Sequence, residues 1–131
     1  MRRLLLLLPV LLPVAAAPAA APAGSGSLLC AIVDVYDCSE STCTETTSEA
    51  VGVPDLIRVD ADKKLVVALD PEFGGASSPI ESEKRESAST TVRAHQGDRS
   101  LVLVADDQSG DATLTVTDLK LTIVAYGECT P

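Results

Sequence analysis

The stretch from Ala112 to Val124 limits the fold more than any other part of the chain, because apolar and polar residues alternate along it with a period close to two. Thr113, Thr115 and Thr117 alternate with Leu114 and Val116, and Lys120, Thr122 and Val124 alternate with Leu119, Leu121 and Ile123. Successive side chains of a strand point to opposite faces, so each run presents one face to a core, with Asp118 between them as a turn or bulge. Short Val- and Leu-rich runs separated by Asp, Gly, Ser and Pro clusters recur upstream. Strands are expected near Leu28 to Tyr36, Leu56 to Asp60, Leu65 to Asp70, Thr90 to Ala94, Ser100 to Ala105, Ala112 to Thr117 and Leu119 to Tyr126. Ala61 to Lys64, His95 to Asp98 and Asp106 to Asp111 supply the turns between them. This pattern predicts an all-β fold, a small antiparallel barrel or sandwich of about seven strands. Ser78-Pro79-Ile80-Glu81 is written like a helix N-terminus, but Ile80 to Ala88 has apolar residues only at its ends. A single helical turn or a polar edge strand is expected there.

The N-terminus carries a different signal. Met1, Arg2 and Arg3 precede an uncharged apolar run from Leu4 to Val14, and small residues follow up to Ala21-Pro22-Ala23. This is the pattern of a secretory signal peptide over residues 1–23, leaving residues 24–131 as one disulfide-stabilised β-domain. Pro9, Pro13, Pro18 and Pro22 would break a lone lipid-exposed helix, so no stable membrane insertion is expected after cleavage. Residues 24–131 hold 8 basic and 19 acidic residues, a net charge of −11, which makes nucleic acid and anionic membranes poor partners and favours a cationic one. Leu, Ile, Val and Phe supply 27 of these 108 residues, enough for a small core.

Four cysteines behind an export signal imply two disulfides rather than a metal site. A strand over Leu28 to Tyr36 would hold Cys30 and Cys38 roughly 26 Å apart at about 3.3 Å per residue, too far to bridge. Two connectivities remain. Cys30 with Cys129 and Cys38 with Cys43 is favoured, tying the first strand to the last and closing a Ser/Thr-rich loop. Cys30 with Cys43 and Cys38 with Cys129 stays open.

Nothing in the remaining residues specifies a catalytic or cofactor site. The acidic loop around Cys38-Ser39-Glu40-Ser41-Thr42-Cys43 reads as a solvated, stapled loop or a rigid recognition loop, and C-x4-C is neither a zinc spacing nor the C-x-x-C of thiol–disulfide catalysts. Asp60-Ala61-Asp62 and Asp106 to Asp111 cluster carboxylates as calcium loops do, yet neither has EF-hand spacing, and Asp and Gly are also what turns need. His95 is the one histidine, so any His-based catalysis would have to use it, and no G-x-S-x-G accompanies it. Tyr36, Phe73 and Tyr126 are the only aromatics, too few for a stacking platform for sugars or single strands. The two tyrosines are expected to cover the core beside the cystines.

Leu29-Cys30, Cys38, Cys43, the segment Pro54 to Asp60, and Tyr126-Gly127-Glu128-Cys129-Thr130 resemble a loose group of small exported bacterial proteins with no assigned function. The resemblance implies a periplasmic, disulfide-framed β-domain and carries over no catalytic or binding residue. The expected role is a non-enzymatic binding or accessory module without cofactor. The alternatives are a small-ligand carrier with an apolar barrel interior and a hydrolase using His95.

Overall fold

The computed structural model describes residues 27–131, so the signal peptide expected over residues 1–23 lies outside the described residues. The chain runs β1 (Leu28–Asp37), β2 (Thr44–Thr46), α1 (Ser48–Val51), β3 (Leu56–Asp60), β4 (Leu65–Ala68), a 3-10 turn (Pro71–Phe73), β5 (Ser77–Glu86), β6 (Ser89–Gln96), β7 (Arg99–Asp106), β8 (Asp111–Thr117) and β9 (Thr122–Thr130). From β3 to β9 each strand pairs antiparallel with the next, and β1 closes the sheet by pairing with both β3 and β9. The fold is an eight-strand antiparallel barrel with β2 as one extra strand beside the second half of β1.

Alternation places the core. Ala112, Leu114 and Val116 of β8 point inward with Ile123 and Ala125 of β9, and they meet Val92, Ala94, Leu103, Ala105, Val59 and Ile57 from the other strands. A barrel of eight strands has an interior just wide enough for its own side chains. Here that interior is occupied by Val, Leu, Ile and Ala, with the buried Cys30 and Cys129 at one seam. The three aromatics are left outside it.

The closing seam needs one glycine. β1 carries a bulge between Ile32 and Asp34, which re-aims the strand, and Ile32 lies opposite Gly127 of β9. A Cβ at Gly127 would stand 2.0 Å from the Ala31 carbonyl oxygen, so the two backbones approach this closely only because the side chain is missing.

Two local expectations are decided. Of the two readings of the Ser78–Glu81 segment, the polar edge strand holds and the helical turn does not: it starts the ten-residue strand β5, with Ser78 buried and Pro79 opposite Leu65. The gain is in pairing, because β5 shares a ladder with β6 from Ile80 to Glu86 that no isolated turn offers. Beyond Pro79 the pairing with β4 stops, so the charged half of β5 is a polar edge, and Lys84–Glu86 and Arg85–Glu83 ion pairs lie along it. The second change is at Asp118, whose carboxylate accepts the Lys120 and Leu121 amides at 2.8 and 2.7 Å and draws residues 118–121 into a tight turn. β9 therefore starts at Thr122, and Leu119, expected on the core face, is 93% exposed at the hairpin tip.

Candidate functional site

The same alternation that sends Val35 and Ala125 inward turns Tyr36 and Tyr126 outward. The tyrosines therefore do not cover the core. They meet on the outer face of the β1–β9 seam, ring centroids 6.0 Å apart and 76° between planes, in an edge-to-face pair. Tyr36 lies opposite Val124, and Tyr126 lies between Asp34 of β1 and Thr113 of β8 in the ladder. Thr113 in turn faces Val104 of β7, which is 42% exposed. The result is a continuous outer patch of Tyr, Val and Thr across β1, β9, β8 and β7.

Two depressions flank Tyr126. One, of about 320 Å³, is walled by Tyr36, Val124, Tyr126 and the Cys38–Cys43 disulfide. The other, of about 360 Å³, runs from Tyr126 past Thr113 and Val104 to Asp106 and Asp111 at the β7–β8 hairpin. The cysteine loop is held against the face by two hydrogen bonds: the Cys38 amide donates to the Thr122 carbonyl at 2.7 Å, and the Thr122 amide donates to Ser39 Oγ at 3.0 Å.

Charge is unevenly spread around the barrel. Residues 28–52 and 106–131, which supply β1, β2, β8 and β9, carry ten acidic residues and one basic residue, Lys120. Residues 53–105 carry nine acidic and seven basic residues. The tyrosine face thus sits on the acidic side. Three of its carboxylates are held below the usual carboxylate range. Asp106 accepts the Ser109 and Gln108 amides, Asp118 accepts the Lys120 amide, and Asp37 accepts the Ser39 hydroxyl and amide. These acceptor roles also account for the two candidate calcium loops. Asp106 caps its own turn, and Asp60 accepts the Lys63 amide at 3.0 Å. No three His, Cys, Asp or Glu side chains gather at metal-ligating distance among the described residues.

His95 is not at a hairpin tip but in the last turn-proximal part of β6, opposite Ser100 of β7. Its Nδ1 lies 2.6 Å from Glu81 Oε1 of β5, without the alignment of a ring N–H donating to it. Ser100, His95 and Glu81 therefore adjoin one another on three neighbouring strands, an adjacency that no local motif announces. Among the described residues no hydrogen bond joins Ser100 to His95. Ser100 is exposed near the start of β7, opposite His95 of β6 and in the terminal pair with Thr117 of β8. Phe73 is half-buried in the 3-10 turn between β4 and β5 and does not line either depression beside Tyr126. The signal that pointed to the tyrosine patch was present in the sequence as outward alternation positions, but which strands would lie side by side was not.

The two disulfides fit an oxidising, extracytoplasmic location, and no helix among the described residues is long and apolar enough to cross a membrane. Comparison with protein-family models, with curated proteins and with solved structures finds no match for this chain.

Proposed function

We propose that this protein is an exported, non-enzymatic binding module, periplasmic or secreted, that docks a cationic protein segment on its tyrosine face. The observation that carries this reading is the coincidence of the outward-facing Tyr36–Tyr126 pair, with Tyr126 exposed and Tyr36 half-buried, with the strands whose segments hold ten acidic residues and one basic residue. An Arg or Lys side chain gains there twice, from the faces of the tyrosine rings and from the carboxylates of Asp34, Asp106 and Asp111 around them. A Ser–His–acid hydrolase receives less support, because no hydrogen bond joins Ser100 to His95 among the described residues.

Titration of the mature protein with an Arg/Lys-rich peptide and with an Asp/Glu-rich peptide of equal length tests the proposal. Saturable binding of the basic peptide alone is expected, weakened by salt and by Tyr126→Ala. Equal binding of both peptides, or binding that Tyr126→Ala leaves unchanged, would reject the site.

A further inference from the structure

We propose that the Cys38–Cys43 disulfide is a thiol–disulfide exchange site, opened by a dithiol reductant while the barrel stays closed. The proposal does not depend on the binding reading. It rests on where the two cystines stand. Cys30 and Cys129 are 0% and 6% exposed, directly paired in the β1–β9 ladder and enclosed by the core. Cys43 is exposed and Cys38 half-buried, and both line an open depression on the outer face. A thiolate must reach a sulfur from the far side of the S–S bond, so access separates labile from inert disulfides.

Cys43 is the sulfur that the exposure favours for attack. A thiolate of the dithiol bonds to Cys43 Sγ, the Cys38–Cys43 bond breaks, and Cys38 leaves as a thiolate that takes a proton from water. The second thiol of the reductant then attacks its own sulfur in the mixed disulfide and releases Cys43. The reductant ends as a cyclic disulfide, having given two electrons to the cystine.

Opening has a local consequence. β2 is three residues long, and the disulfide ties the residue just before it to the residue just after β1. Without that tie β2 is held by its short pairing of Thr44–Thr46 with Val35–Asp37 and by α1 behind it. Its release uncovers the edge of β1 and removes one wall of the depression beside Tyr36.

The test treats the folded, mature protein with graded dithiothreitol, caps free thiols with iodoacetamide, and maps the label by peptide mass spectrometry. Hydrogen exchange is followed in parallel. Labelling of Cys38 and Cys43 at least tenfold faster than of Cys30 and Cys129 is expected, with faster exchange confined to the amides of residues 35–37 and 44–46. The Cys38→Ala/Cys43→Ala variant, untreated, is expected to reproduce that exchange pattern. Reduction of both cystines at one rate, or resistance of Cys38–Cys43 until denaturant is added, would overturn the proposal. An unchanged exchange pattern after selective opening would overturn the release of β2.

Discussion

The seam stapled by Cys30–Cys129 and the loop stapled by Cys38–Cys43 use the same covalent bond for different purposes. The first joins residues 99 apart in sequence, across the seam where the barrel closes on itself. The second joins residues five apart, in a loop whose next strand already pairs with β1. In the chain-entropy treatment, cross-linking a loop of about 100 residues restrains the unfolded chain by about 4.7 kcal/mol, and one of about six residues by about 2 kcal/mol. Topology sharpens the contrast. The β1–β9 pairing is the most non-local in the sheet, and its loop-closure entropy must be met before any contact along it is gained. A covalent tie there supports the whole fold, whereas the tie at Cys38–Cys43 shapes one patch of surface.

The largest expected effect breaks the first region. Cys30→Ala with Cys129→Ala should lower the unfolding free energy by about 4 to 5 kcal/mol, read as a shifted urea midpoint with the slope checked for denatured-state change. Gly127→Ala attacks the same seam without touching sulfur. Its Cβ meets backbone rather than a side chain that can move aside, so a loss of about 3 kcal/mol is expected in the same denaturation experiment. Cys38→Ala with Cys43→Ala should cost about 2 kcal/mol, and a loss equal to that of the buried pair would abolish the distinction between the two regions.

Smaller effects refine the surface. Tyr126→Ala gives up an edge-to-face pair worth about 1 kcal/mol in thermal unfolding, while peptide binding falls far more. Acid titration is subtler still. Asp106, Asp118 and Asp37 have carboxyls held below their ordinary value of 3.8 in the folded protein, so each favours the folded state fully above that value. This contribution is lost as pH falls through the lowered folded values, and Asp106→Asn, Asp118→Asn or Asp37→Asn should each flatten the acid limb of a stability-against-pH curve.

Much of this fold was readable from spacing. The Thr/Leu/Val alternation from Ala112 to Thr117 and the run of Ile123 to Tyr126 specify strands and their inward faces, because a period of two has one burial solution. Asp, Gly and Ser clusters mark the turns for equally local reasons. β5 stayed ambiguous between a helical turn and a polar edge strand because its exposed half lacks an apolar face, and its strand conformation is supported by pairing with β6 rather than by its own pattern. β2 escaped because a three-residue strand carries almost no periodicity.

By itself the amino-acid sequence determined the inward faces of regularly alternating strands such as β8, that the domain is strongly acidic, and that four cysteines offer two cross-links. Only the tertiary structure decided that β1 closes the barrel between β3 and β9, that Tyr36 and Tyr126 meet outside it, and that one cystine is sealed in while the other faces solvent. The reason is physical: periodicity specifies a side chain's face along its own strand, but which strands become neighbours depends on pairings between residues far apart in the chain, and no local spacing encodes those.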